Sequence, residues 1–277
     1  MYTSLIQAEQ LHHHLDDPDW IIVDCRYNLA DTGAGYRDYL ESHIPHAVYA
    51  DLDRDLSDTS KTGRGRHPLP DSADLVQVFS RLGIGPGSQV VVYDAAWGSI
   101  AARFWWLLKY MHHANVAVID GGWQAWQAQG YETQTGAVAN APRAFTGAVR
   151  DELVIDIDGI ASCPLLVDSR EPPRYRGDIE PIDPVAGHIP GAINRFWKDN
   201  LLDTGHFRAP HQIRYDFRQL FREIPSGQVG FYCGSGVTAC HNLLAAVYSG
   251  IPMPRLYAGS WSEWCGRRGA AIETGDN

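Results

Sequence analysis

A cysteine in a turn of small residues is the first place in this sequence where chemistry can be expected. The run FYCGSGVTAC (231–240) starts with apolar residues, which predict a short buried strand that ends at Cys233. The Gly-Ser-Gly that follows lets the backbone curl tightly with its N–H groups turned inward. Such amides, next to a helix that begins near Val237, stabilise an anionic sulfur. The pattern therefore predicts a thiolate nucleophile at Cys233.

Three other interpretations fit parts of this loop. A plain strand-to-helix turn needs no nucleophile, and the sequence leaves that possibility open. A cysteine phosphatase places an arginine six residues after its nucleophile to hold phosphate with two hydrogen bonds, but Ala239 occupies that position. A Ser-His-Asp hydrolase requires a GxSxG elbow, which the GSG of this loop does not provide. The phosphatase and the hydrolase are therefore excluded.

The remaining cysteines give no sign of a disulfide framework or a zinc site. The chain has five cysteines, an odd number with irregular spacing and no CxxC pair. Three adjacent histidines, His12 to His14, point in different directions on a helix and do not predict a metal site. We expect no metal and no organic cofactor. The four cysteines expected to be core residues are Cys25, Cys163, Cys240 and Cys265.

Composition limits the class of partner. The chain of 277 residues is 44% hydrophobic, and its net charge is −10, which argues against nucleic acid or an anionic membrane as the main partner. The first residues, MYTSLIQAEQLHHHLDD, lack the basic and apolar regions of a signal peptide, and the sequence contains no apolar run long enough to cross a bilayer. We therefore expect a soluble cytoplasmic protein.

The sequence contains the same pattern twice. Four segments recur in the same order and at a nearly constant offset: WIIVDCR (20–26) and PLLVDSR (164–170), SHIPHAVY (42–49) and GHIPGAIN (187–194), VVVYDAAWGSIAARFWWLL (90–108) and VGFYCGSGVTACHNLLAAV (229–247), and VIDGGWQAW (118–126) and LYAGSWSEW (256–264). Such collinear matches indicate a duplicated domain. We predict a first domain over 1–135, a Gly/Ala/Pro-rich linker over 136–152, and a second domain over 153–277.

Each copy alternates short apolar runs with amphipathic stretches. In the first copy the predicted strands are Ile21–Val23, Val90–Tyr93 and Val116–Ile119, and the predicted helices are Leu75–Leu82, closed by Gly83, and Ile100–Met111. This alternation predicts an α/β fold with a mainly parallel sheet and helices on both faces. Active sites in such sheets lie beyond the carboxyl ends of the strands, where Cys233 is expected.

Over nearly its whole length the chain resembles the tandem-domain rhodanese family. The resemblance rests on the duplication, the CGSGVTAC loop, the VDSR…RY…GHIPGA stretch and the GSWSEW run, and it is strongest to the 3-mercaptopyruvate sulfurtransferase branch. It implies that Cys233 takes a sulfane sulfur from a small anionic donor, carries it as a persulfide, and passes it to a thiol, cyanide or thioredoxin-like acceptor. The persulfide would be held by Gly234, Ser235, Gly236, Val237 and Thr238.

Asp94 takes the place of Cys233 in the first copy, within VVVYDAAWGS. A carboxylate can neither attack sulfur as a thiolate does nor carry a persulfide. We therefore expect the first domain to be catalytically silent and to assist substrate binding, which is also what the resemblance implies.

Arginines near the loop are candidates for binding the donor anion. Arg174, six residues after Asp168, matches the family's substrate-binding arginine, although it could instead be a surface residue or a partner of Asp168. A second family arginine before GHIPG is missing, and Asp183 lies near its position. Arg66 and His67, in the run KTGRGRHPLP of the first domain, could replace it. That run could equally be a solvated basic turn.

Proton transfer and donor choice leave alternatives open. Ser235 could relay a proton with His67 and an acidic residue such as Asp58. The loop after Cys233 is neutral, as in the mercaptopyruvate branch, whereas thiosulfate enzymes of the family carry basic residues there. The missing arginine, by contrast, is shared with many thiosulfate enzymes. We therefore predict a 3-mercaptopyruvate sulfurtransferase, with a thiosulfate sulfurtransferase or a persulfide-carrying relay module as the alternatives.

Overall fold

The chain divides into two units, each built around one parallel sheet. The computed structural model describes residues 1–276. The first unit contains Met1–Asp58, Pro70–Arg150 and Thr204–His206; the second contains Thr59–Leu69, Asp151–Asp203 and the chain from Phe207 onward. Each unit thus includes one short segment from the other half of the sequence.

Five strands form the sheet of the first unit, in the order β1-β5-β4-β2-β3 with every pair parallel. They are β1 (Leu5–Ile6), β2 (Trp20–Asp24), β3 (Val48–Tyr49), β4 (Gln89–Tyr93) and β5 (Val116–Ile119). Every residue of β4 and β5 is buried, so both faces of the sheet are covered.

The helices of the first unit follow the predicted pattern. They are α1 (Ala8–His12), α2 (Ala34–Glu41), α3 (Ser72–Arg81), α4 (Ala101–Tyr110) and α5 (Gly122–Ala128). Helix α3 buries Leu75 and Phe79, and the chain leaves it through Gly83, whose φ of +84° favours glycine. Helix α4 is one residue shorter at each end than predicted, because Ile100 and Met111 are its capping residues.

Four strands form the sheet of the second unit, in the order β7-β6-β8-β9 and again all parallel. The elements are β6 (Leu165–Asp168), α6 (Pro172–Arg176), β7 (Ile193–Asn194), α7 (Pro210–Phe221), β8 (Val229–Tyr232), α8 (Ala239–Tyr248), β9 (Arg255–Leu256) and α9 (Ser260–Trp264). Their order repeats that of the first unit without β1 and α1. The predicted duplication and the α/β fold are therefore confirmed.

The same buried ion pair lies at the end of an interior strand in both sheets, β2 in the first and β6 in the second. In the second unit Arg170 bonds Asp168 at 2.6 Å, and its guanidinium carbon lies 4.8 Å from the ring centroid of Trp261. The first unit repeats both distances with Asp24, Arg26 and Trp123. The paired tryptophans therefore serve packing, because each lies under the arginine that fixes a strand end.

Among the described residues, none of the helices has the length and hydropathy needed to span a bilayer.

Candidate active site

Cys233 follows β8 directly, at the carboxyl edge of the second sheet, and only 2% of the residue is exposed. Its backbone is held from both sides. The Trp261 N–H donates to the Cys233 carbonyl oxygen at 3.0 Å, and the Cys233 N–H donates to Ser260 Oγ at 3.2 Å. These bonds join the start of the loop to α9 and fix the position of the sulfur-bearing residue.

The loop after Cys233 has the tight shape that its small residues predict. Gly236 has φ of +75°, and a Cβ on it would lie 2.4 Å from the carbonyl oxygen of Ala258, so only glycine fits. The N–H groups of Ser235 and Val237 have no protein acceptor within residues 1–276. They remain as donors for an anion bound at this strand end.

The equivalent loop of the first unit shows such an anion in place. Asp94 follows β4, and its carboxylate accepts four backbone hydrogen bonds. The donors, at 2.7–2.8 Å, are the N–H groups of Ala96, Gly98, Ile100 and Ala101. A loop of this type therefore surrounds one negative charge with amide donors.

The two loops match in backbone geometry as well as in sequence. Trp97, at the position of Gly236, also has a positive φ, +57°. The Trp123 N–H donates to the Asp94 carbonyl oxygen at 2.8 Å, as Trp261 does to Cys233. An anionic sulfur on Cys233 would therefore take the place that the carboxylate takes in the first unit.

The other cysteines are less suited to nucleophilic attack. Cys240, in the first turn of α8, is wholly buried, and its thiol donates to the Gly236 carbonyl oxygen at 3.3 Å. Burial raises the pKa of the Cys25 thiol, and burial next to Asp183 and Glu180 raises that of Cys265 to about 11. Cys25 and Cys240 are buried, whereas Cys163 and Cys265 are partly buried and pack against the core cluster of the second unit.

The segment 59–69 brings His67 to the loop from far away in the sequence. His67 Nδ1 lies 2.7 Å from Ser235 Oγ, and both residues are more than nine-tenths buried. This segment packs within the second unit: Gly65 lies against the Gly259 carbonyl, and the Arg66 N–H donates to Ser262 Oγ at 3.0 Å. Thr62 to Arg64 are exposed, but Arg66 and His67 are packed against the second unit and are not part of a solvated turn.

Arg174 and Arg66 meet at Asp183. Arg174, on α6, donates through Nη2 to Glu180 Oε1 at 2.6 Å and to Asp183 Oδ2 at 3.3 Å. Arg66 Nη1 donates to Asp183 Oδ1 at 2.7 Å. Burial raises the pKa of Glu180, but the hydrogen bond and charge of Arg174 and the backbone hydrogen bonds from Asp183 and Ile182 together outweigh it, so the net shift is downward and the carboxylate stays charged. Arg174 is therefore neither a surface arginine nor the partner of Asp168, which pairs with Arg170.

Both guanidinium groups lie beside the cysteine loop. Arg66 Nη2 lies 3.2 Å, and both Arg174 Nη1 and Arg174 Nη2 lie 3.7 Å, from where a Cβ would stand on Gly234. The nitrogens left for a ligand are Arg66 Nη2 and Arg174 Nη1. In the part of the chain that the structure describes, neither nitrogen has a hydrogen-bond acceptor, and Arg66 Nε is buried without one. Two cationic donors are thus available beside the residue that follows Cys233.

Comparison with known proteins identifies the fold. The sequence-family model of the rhodanese-like domain matches this chain twice, over residues 7–129 and 155–267. The chain belongs to the rhodanese-like family. It is 46% identical to a probable 3-mercaptopyruvate sulfurtransferase of Pseudomonas aeruginosa, with 99% of each chain covered.

Two further relatives span most of this rhodanese-like chain. It is 39% identical to the putative thiosulfate sulfurtransferase SseB of Mycobacterium tuberculosis, covering 94% of this chain and 93% of that one. The structure of 3-mercaptopyruvate sulfurtransferase from Leishmania major superposes with a TM-score of 0.85 at 31% identity, over 95% of this chain and 74% of that one. The chain therefore matches, over most of its length, relatives named as 3-mercaptopyruvate sulfurtransferases and a relative named as a thiosulfate sulfurtransferase.

The structure brings together most of the residues that sequence patterns single out. Ser235, His67, Arg66 and Arg174 all lie at the Cys233 loop of the second rhodanese-like unit. No sequence pattern singles out Glu180, which holds Arg174. The acidic run DIEPID, separated from RYR only by Gly177, was the available signal that buried carboxylates accompany these arginines.

Removing the carboxylate of Asp94 should weaken the first rhodanese-like unit and leave the sulfur chemistry intact. Asp94→Ala leaves four amides without their acceptor, and we expect a loss of about 2–4 kcal/mol in the free energy of unfolding. Thermal unfolding and persulfide yield should be measured on the same sample. Asp31→Ala, an exposed carboxylate of the same unit, is the control. An unchanged stability with a lost persulfide would contradict the role given to Asp94.

Proposed function

We propose that the protein is a sulfurtransferase that moves a sulfane sulfur from 3-mercaptopyruvate to an acceptor through a persulfide on Cys233. One observation carries the proposal: Cys233 begins a loop whose counterpart in the first unit holds a carboxylate with four amide hydrogen bonds. The loop is therefore shaped to hold a negative charge at the residue that would have to be a thiolate. The names of the relatives support the same activity.

In the first step the Cys233 thiolate attacks the sulfur of the donor. An S–S bond forms, the C–S bond of mercaptopyruvate breaks, and its electron pair goes to carbon, which leaves as the enolate of pyruvate. Cys233 now carries the persulfide, and the free N–H groups of Ser235 and Val237 stabilise its charge. No external oxidant is required, because the donor carbon keeps the electron pair of the C–S bond and is reduced by two electrons as the two sulfurs are oxidised to a persulfide.

The enolate requires a proton, and Ser235 and His67 are placed to supply it. His67 Nδ1 lies 2.7 Å from Ser235 Oγ, so a proton can pass from the ring through the hydroxyl to the leaving carbon. Thiosulfate, in contrast, leaves as sulfite, which needs no proton to depart. A serine–histidine relay therefore favours mercaptopyruvate. The participation of Asp58 in this relay stays a prediction.

The donor's carboxylate is proposed to bind Arg66 Nη2 and Arg174 Nη1. These two nitrogens lie next to Gly234 without protein acceptors among the described residues, so an anion bound to them would lie beside the residue that follows Cys233. In this proposal Arg66, which lies in the segment 59–69, takes the role of the family arginine that is missing before GHIPG.

In the second step an acceptor takes the outer sulfur. A thiolate, cyanide or a thioredoxin-like protein attacks the terminal sulfur of the persulfide, the S–S bond breaks, and Cys233 leaves as a thiolate ready for the next donor.

We propose the reducing cytoplasm as the compartment, since all five cysteines are free thiols. We also propose domains over 1–135 and 153–277 joined by a linker over 136–152, most of which forms neither helix nor strand.

Removal of either arginine should weaken donor binding. We expect Arg174→Ala and Arg66→Ala each to raise KM for mercaptopyruvate by about tenfold or more, since losing a hydrogen bond to a charged group costs about 1.5–3 kcal/mol. Arg176→Ala is the matched control, because that side chain pairs with the exposed Asp178 instead. A KM that rises equally in all three variants would argue against the assignment.

Steady-state rates with mercaptopyruvate and thiosulfate, each with cyanide as acceptor, test the proposed function. We expect the higher kcat/KM with mercaptopyruvate. The thiosulfate enzyme is the second candidate, and the Mycobacterium tuberculosis relative favours it. A higher kcat/KM with thiosulfate would establish that alternative. Absence of turnover with either donor would favour the persulfide-carrying relay module.

A further inference from the structure

A buried carboxylate stands between the two arginines that face the cysteine loop. The side chain of Asp183 is 3% exposed, and each of its oxygens has a different partner. Oδ1 accepts from Arg66 Nη1 at 2.7 Å, and Oδ2 accepts from Arg174 Nη2 at 3.3 Å. The negative charge of Asp183 weakens the attraction of the two arginines for an anionic donor. A carboxylate at this position therefore needs a physical reason.

The first consequence of this bridge is that it orients the guanidinium groups that bind Asp183. A guanidinium group is planar and rigid, so a bond to one Nη fixes where the other points. Because Asp183 binds Arg66 Nη1, the opposite nitrogen, Arg66 Nη2, comes within 3.2 Å of the Cβ position of Gly234, and both Nη atoms of Arg174 lie 3.7 Å from the same position. The bridge is also the only hydrogen bond that the side chain of Arg66 makes within residues 1–276.

The second consequence concerns charge. Arg66 and Arg174 carry two positive charges, and Asp183 and Glu180 carry two negative ones, all joined by ion pairs. Arg170 is matched by Asp168 in the same way. The donor site therefore has no excess positive charge. Buried charges interact strongly. A ligand with one negative charge can place that charge on the two arginine nitrogens and largely avoid Asp183 and Glu180. A ligand with two negative charges is also repelled by these carboxylates.

We infer, on the basis of the proposed function, that Asp183 is a specificity-determining residue, which aims Arg66 and Arg174 and makes the donor site select monoanionic over dianionic sulfur donors. Mercaptopyruvate carries one negative charge at neutral pH and thiosulfate carries two. The inference therefore assigns part of the donor preference to one carboxylate outside the cysteine loop.

The test is the ratio of kcat/KM for thiosulfate to that for mercaptopyruvate. Asp183→Asn removes the charge and keeps an acceptor for one arginine. We expect it to raise this ratio about tenfold, which corresponds to about 1.4 kcal/mol in the relative barrier. Asp183→Ser should raise the ratio in the same direction, and Asp183→Glu, which retains the charge, should keep it close to that of the unmodified protein.

Two further measurements separate this role from a purely structural one. Inhibition by sulfate, a dianion that cannot donate sulfane sulfur, should become tighter in Asp183→Asn. Asp178→Asn is the matched control, since Asp178 lies five residues away, is exposed and pairs with Arg176, and it should change neither quantity.

The outcomes distinguish this inference from the proposed function. If the unmodified protein transfers sulfur but Asp183→Asn and Asp183→Ser leave the donor ratio and sulfate inhibition unchanged, the inference is wrong and the function stands. An equal change in Asp178→Asn would also overturn it. If the unmodified protein transfers sulfur from neither donor, the proposed function itself fails.

Discussion

Cys233→Ser is expected to abolish sulfur transfer from any donor, with a loss in kcat of at least about 10⁴-fold, the scale seen when a covalent nucleophile is removed. A hydroxyl is a far weaker nucleophile than a thiolate and cannot carry a persulfide. The substitution changes one buried atom, so the fold should be retained. The measurement is steady-state turnover with mercaptopyruvate and cyanide, alongside a thermal unfolding curve.

Cys240→Ser is the matched control for this result. Cys240 lies seven residues on in the same segment and is fully buried, and its thiol donates to the Gly236 carbonyl oxygen. We expect it to keep most of the activity. Residual transfer by Cys233→Ser near the level of the unmodified protein would show that another cysteine is the nucleophile.

Ser235→Ala is expected to separate the two donors. It removes the hydroxyl that lies 2.7 Å from His67 Nδ1 and therefore interrupts the relay of a proton to the enolate. General acid catalysis contributes about 10²–10⁴-fold, so kcat with mercaptopyruvate should fall by about a hundredfold or more. With thiosulfate the fall should be only a few-fold, because sulfite leaves without a proton.

Two variants complete this experiment. His67→Gln should show the same selective loss, since the glutamine side chain cannot deliver a proton to Ser235. Ser162→Ala, an exposed serine of the same unit, should affect neither donor. Equal losses with both donors in Ser235→Ala would mean that the hydroxyl shapes the loop and does not relay a proton.

Much of the fold follows from local patterns. The apolar runs at 90–93 and 116–119 are short and rich in β-branched residues, and the structure has strands there. The repeat predicts a second sheet with the same order. The glycine at 236 predicts a turn that no other residue would allow, and its φ of +75° agrees. These features depend on residues that are close in sequence.

The rest of the site depends on contacts that no local pattern contains. His67 and Ser235 are 168 positions apart, and only the packing of segment 59–69 within the second unit brings them together. A short basic segment rich in Gly and Pro looks the same in sequence whether it is solvated or buried. Likewise, an acidic residue at 183 could have faced solvent; its burial between two arginines is a property of the folded chain.

The most direct test of the central claim is to locate the transferred sulfur by mass spectrometry. Stoichiometric mercaptopyruvate, added without an acceptor, should increase the mass of the protein by one sulfur atom, and peptide mapping should place that atom on Cys233. A reductant or cyanide should remove it, and Cys233→Ser should not acquire it. Sulfur found on Cys240 or Cys265, or a protein that turns over donor without ever holding the sulfur, would contradict the account.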